Sequence, residues 1–115
     1  SRDVPAPAAL ARAAERIATL LQKWDDALYA RVLGQNTHHP PAARQALFEG
    51  LRGRHGACTV RSYTFTRGAS RQGFTLGCER GGDVELALAI DEKEPDRVPD
   101  FALSEPRFAG LCPVR

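Results

Sequence analysis

Four stretches in the C-terminal half of the chain alternate apolar and polar residues, and the turns between them leave few choices of fold. The stretches cover residues 58–66, 72–79, 83–91 and 98–105, with turn chemistry at Gly68, Gly81–Gly82 and Pro95–Asp96. Because side chains alternate with period two, a one-residue slip in pairing would turn the wrong face inward. A three-residue loop at Arg67–Gly68–Ala69 sets Cys58 against Cys78, Val60 against Leu76 and Ser62 against Phe74. A second three-residue loop at Arg80–Gly81–Gly82 sets Cys78 against Val84, Leu76 against Leu86 and Phe74 against Leu88. Two independent turn choices thus produce one continuous apolar face. A pairing through the 92–97 loop adds Leu88 against Phe101 and Leu86 against Leu103. The opposite face, with Thr59, Arg61, Tyr63, Thr75, Glu85 and Asp91, is mostly polar.

An antiparallel sheet with one apolar face needs a helical layer over it. The preceding sequence supplies two apolar stripes. Leu10, Ala14, Ile17, Leu21, Trp24, Leu28 and Val32 recur at three- and four-residue steps from Ala8 to Leu33, with Asp25 placed to cap a second helix after Trp24. Pro40 and Pro41 open another helical run to about Arg54, with Ala43, Ala46, Leu47, Gly50 and Leu51 as its apolar face and Gly53 and Gly56 at its end. The expected fold class is therefore α+β, with N-terminal helices packed on a four-stranded antiparallel meander. Residues 1–7 read as a linker remnant, 8–105 as a single domain and 106–115 as a C-terminal tail or short helix. The Pro/Ala-rich start and the lack of any Met suggest a piece of a longer protein.

Composition narrows the partners. No stretch free of charge and proline in this chain is long enough to span a bilayer, so no membrane partner is expected. Arg52, Arg54, Arg61, Arg67, Arg71 and Arg80 cluster in sequence, but acidic residues dominate 83–100 and the net charge is only +2. That is no nucleic-acid footprint. Arg71–Gln72–Gly73–Phe74 lacks the aromatic pattern of an RNA-binding sheet.

Cys58 and Cys78, opposed in the derived register, would have Cα atoms about 4.5–5.5 Å apart, within reach of a disulfide. Such a bond implies an oxidising compartment, hence a periplasmic or extracellular location. Cys112 is left over. His55-x-x-Cys58, with His38, His39 and Cys78 nearby in sequence, offers the alternative of a metal site, but lacks the paired spacing that zinc requires. No phosphate-cradling glycine loop or nucleophile elbow is present, and no cofactor is expected. Asp25–Asp26 is a carboxylate pair, but adjacent helical residues point about 100° apart and share no proton site.

Trp24–Asp25–Asp26–Ala27–Leu28, Leu51–Arg52–Gly53–Arg54–His55–Gly56–Ala57–Cys58, Leu76–Gly77–Cys78–Glu79–Arg80–Gly81 and Val84–Glu85–Leu86–Ala87–Leu88 together resemble a bacterial accessory domain of the nuclear transport factor two-like cone fold. Such domains are appended C-terminally to secreted hydrolases, including β-lactamase-related serine hydrolases and amidohydrolases of the D-aminoacylase kind. The resemblance implies that catalytic residues lie in another domain, so no catalytic residue is assigned. It implies an abbreviated cone, since a full cone has six strands with a hairpin between its helices and this chain offers four. The expected function is a non-catalytic domain that packs on its own catalytic hydrolase domain or supports a homodimer, with a contact placed at 101–111. The alternative is a small-ligand binding module, or a cone-fold enzyme of the isomerase or cyclase type, with a pocket at Trp24, Tyr29, Tyr63 and Asp100.

Overall fold

A computed structural model describes residues 6–34 and 40–105. The linker and tail readings at 1–5 and 106–115, the loop at 35–39 with His38 and His39, and Cys112 lie outside the described residues. Three helices, α1 (Ala8–Gln22), α2 (Asp26–Val32) and α3 (Pro41–His55), precede four strands, β1 (Cys58–Thr64), β2 (Gln72–Cys78), β3 (Asp83–Ala89) and β4 (Asp100–Ser104). The strands pair antiparallel in the order β1-β2-β3-β4. The fold is α+β, with N-terminal helices on a meander.

The break between α1 and α2 has a local cause. Asp25 is extended, and its Oδ1 accepts from the backbone N–H groups of Ala27 at 2.9 Å and Leu28 at 3.1 Å. This caps α2 and prevents α1 from running on. Ala13, Ala14 and Ala18 are among the buried residues of α1 and, having no bulk beyond Cβ, let that helix approach closely. Ile17, Leu20 and Leu21 fill the space between. From below, Phe74, Leu76, Val84, Leu86 and Leu88 complete the core.

Three expectations change. First, β1 carries a bulge between Val60 and Ser62, so Ser62 lies opposite Thr75, and Tyr63 rather than Ser62 faces Phe74. The extra residue turns Tyr63 from the polar face into the core, where it is buried. Arg61, at the bulge, reaches Asp83 Oδ2 at 2.6 Å across the outer face. Its path passes over Gly77, where a Cβ would sit 3.5 Å from the Arg61 chain.

Second, the β2–β3 register is displaced by two residues, pairing Phe74 with Leu86 and Leu76 with Val84. The same side chains stay inward because the displacement is even. The turn starts earlier than the glycine pair suggests: Gly81 N–H donates to Cys78 O at 3.1 Å around Glu79 and Arg80, whose own N–H groups donate to Ala57 O and His55 O at 3.0 Å. Gly81 and Gly82, both at positive φ, then lead into β3. The β3–β4 pairing of Leu88 with Phe101 and Leu86 with Leu103 is as expected.

Third, α3 buries Arg44, Phe48 and Leu51, whereas Ala43, Ala46 and Leu47 are exposed, Leu47 at 43%. The helix is rotated so that its largest apolar ring, rather than its alanines, enters the core.

Candidate functional site

Phe48 joins three other rings where the helices meet β4. Its centroid lies 5.5 Å from Trp24 and 6.0 Å from Phe101, edge-on to both, and Trp24 lies 4.9 Å from Tyr29. These separations are favourable for aromatic pairs. The Trp24 indole N–H donates to Asp26 Oδ1 at 2.8 Å, which fixes the ring at the α1–α2 corner. Four residues before Phe48 on α3, Arg44 lies on the same helix face, and its guanidinium carbon sits 4.5 Å from the centroid of Phe101.

Arg44 is 5% exposed and is the single buried charged residue among the described residues. Its Nη1 is enclosed and finds no hydrogen-bond acceptor. A cation over a ring contributes about 2 kcal/mol when desolvated, against several kcal/mol for removing an unpaired ion from water. The ring face does not offset the burial, so this is the least satisfied polar group in the described molecule. Sequence reading missed both Arg44 and Phe48. The available signal was the spacing Arg44–Phe48–Leu51, one stripe of α3 at steps of four and three.

Of the residues read as a pocket, Trp24 and Tyr29 are brought together. Tyr63 packs instead on Phe74 with centroids 5.0 Å apart, on β1. Asp100 is exposed on β4, with Arg71 Nε 3.5 Å from its carboxylate. β1 and β4 are opposite edges of the sheet, so Tyr63 and Asp100 do not meet as acid and hydrogen-bond donor.

Cys58 and Cys78 are joined as a disulfide spanning 20 residues. It lies inside a tight junction of the two sequence pieces singled out above. Glu79 Oε1 accepts from Ala57 N–H at 3.1 Å, and Arg80 Nη1 donates to Gly53 O. Gly56 adopts φ 78°, and a Cβ there would lie 3.0 Å from Glu79. The Gly-Ala-Cys and Cys-Glu-Arg-Gly pieces are thus two halves of one structural clasp. Its sulfurs are consumed, and no group of three His, Cys, Asp or Glu residues among those described could hold a metal ion.

The remaining charges pair between elements at the surface. Glu105 accepts from Arg54 Nε at 2.9 Å and lies 2.5 Å from His55 Nε2, and the Arg54 hydrogen bond, followed by that of His55, holds its carboxyl below the usual range. Arg16 on α1 binds Asp96 of the β3–β4 loop at 3.0 Å and lowers its pKa by that hydrogen bond. Among the described residues, an open groove of about 250 Å³ lies between α1 and β1, bordered by Glu15, Thr19, Gln22 and Thr59, and another of about 380 Å³ lies beside Arg31 and Arg97. No helix among the described residues is long and apolar enough to cross a membrane. Comparison with protein-family models finds no matching family, and a search of curated proteins finds no significant relative.

Proposed function

We propose that this chain is a non-catalytic accessory domain of a larger bacterial hydrolase, working in the periplasm or outside the cell, where it packs on its own catalytic domain or supports a homodimer. The observation that carries this reading is the filled layer between helices and sheet. Side chains of all three helices and of the inner sheet face form one cluster, so the volume a cone-shaped enzyme would keep for substrate is taken by the protein's own core. The pairing of acidic and basic residues at the periphery supports the same reading, because such pairs join elements instead of converging on a reacting atom. The disulfide favours an oxidising compartment. The hydrolase as parent rests on the resemblance of the clasp sequences.

The test is made on the full-length polypeptide that carries this chain. Removal of residues 8–105 is expected to leave a titratable hydrolase nucleophile while lowering stability or abolishing a dimer. The isolated chain is expected to turn over no ester, amide or β-lactam. Turnover by the isolated chain that is lost in Asp100→Asn or Tyr63→Phe would overturn the proposal, as would a full-length sequence without a hydrolase domain.

A second reading, a small-ligand binding module, is favoured by one observation, the enclosed Nη1 of Arg44, which has no hydrogen-bond partner.

A further inference from the structure

We propose that the outer edge of β4 docks a second copy of this chain, whose own β4 pairs with it antiparallel about a two-fold axis at Ala102. This surface gives the homodimer of the proposed function its contact, and so rests on that reading.

The sheet has two edges, β1 and β4, and the chain treats them differently. An open edge offers unpaired N–H and C=O groups to any other strand, so proteins block the edges they do not use. β1 is blocked. A bulge between Val60 and Ser62 interrupts its alternation, the Gln22 side-chain amide donates to Cys58 O at 3.1 Å, and α1 packs beside it. Among the described residues β4 has no such device. Its pairing with β3 runs from Asp100 to Ser104 without a shift, and Phe101, Ala102, Leu103 and Ser104 include no charge, proline or glycine. Phe101 and Leu103 are only partly buried.

The pattern of β4 fits its own copy. With Ala102 on the axis, Asp100 stands opposite Ser104 of the second copy and Phe101 opposite its Leu103. No like charges meet, and the apolar side chains share the inner face. Such a contact uses one patch twice and closes at two chains. An edge of five residues is small for a stable interface, and the flank of α3 enlarges it. Ala43, Leu47, Gly50 and Arg54 form one stripe of α3 at steps of four, three and four. Arg54 reaches Glu105 just past β4, so the stripe lies on the β4 side. Its Leu47 is exposed, and Gly50 leaves room for a close approach.

Sedimentation of the intact chain over a range of concentrations tests the surface. A monomer–dimer equilibrium is expected, with a dissociation constant on the order of micromolar to tens of micromolar. Exchange of the β4 amides that point away from β3 should slow as the concentration rises. Ala102→Lys adds an exposed charge that meets itself on the axis and should weaken the dimer by about tenfold or more. Thr59→Lys makes the same charge change at the exposed β1 edge and should leave the dimer unchanged. Ala102→Glu alone should also weaken it, whereas an equimolar mixture of Ala102→Lys and Ala102→Glu should regain association. A parent that stays monomeric overturns the surface, and leaves the accessory role to be decided on the full-length polypeptide. A dimer that Ala102→Lys does not weaken, that Thr59→Lys weakens equally, or that the mixture does not restore overturns it too.

Discussion

Glu105 holds Arg54 and His55 at once, and so ties the end of β4 to the last turn of α3. Its carboxyl is held below the usual carboxylate range, first by Arg54 and then by His55. A carboxyl depressed in the folded state contributes stability that is present above its unfolded pKa and lost as pH falls through the folded one. Acidification through the range in which carboxylates protonate should therefore cost the parent more stability than it costs Glu105→Gln. Urea melts at about pH 7 and about pH 3 check this, and equal losses would show that the pairing of Glu105 with Arg54 and His55 is solvated away. The disulfide acts at the same scale but through the unfolded chain. Closing a loop of 20 residues restricts the denatured ensemble by about 3 kcal/mol. Reduction should lower the melting temperature by roughly 10–20 °C, and peptide mapping without reductant should recover Cys58 bonded to Cys78. The pairing was legible because both cysteines lie before the bulge, where the derived register holds.

The bulge at Arg61 makes a sharper statement about elements. Arg61 and Ser62 together stand opposite Thr75, so one residue of β1 is surplus to the alternation. Deleting Arg61 should leave Val60 and Tyr63 on the inner face and preserve a cooperative urea transition, with only the exposed Arg61–Asp83 pair lost. Deleting Glu85 from the regular strand β3 should instead reverse Leu86 and Leu88 relative to Val84 and abolish folding. Equal tolerance of both deletions would mean that the bulge does not set the facing. This also explains what the sequence shows and hides. Alternation reveals which residues of β2 and β3 face inward, and that held through a two-residue displacement, because parity survives an even shift. Loop length does not reveal the register itself, since the turn closes between Cys78 and Gly81, one residue ahead of the centre that the glycine pair suggests. On α3 two apolar stripes compete. The one with Phe48 enters the core because a ring removes more surface from water than Ala43 and Ala46 do, and it carries Arg44 inside with it. The candidate site was illegible for that reason: it is made by a helix rotation that packing decides.

At the scale of the whole molecule one core joins everything described. Leu86 sits in β3, between Phe74 on β2 and Leu103 on β4, and is 1% exposed. Trp24, at the α1–α2 corner, is packed against the same cluster. A chain with one core should lose sheet and helix together, so far-ultraviolet circular dichroism and Trp24 fluorescence should report the same denaturant midpoint. Truncating the centre should move both signals equally. Leu86→Ala removes buried methyl groups and leaves a cavity under two neighbouring strands, at a cost of about 2–4 kcal/mol. Arg67→Ala, at an exposed hairpin tip whose turn is closed by Gln72 binding Thr66 and Ala69, should cost less than about 0.5 kcal/mol. If Leu86→Ala shifted the circular dichroism midpoint but not the fluorescence midpoint, the helices would be folding on their own. That outcome would contradict the filled helix–sheet layer on which the accessory role rests.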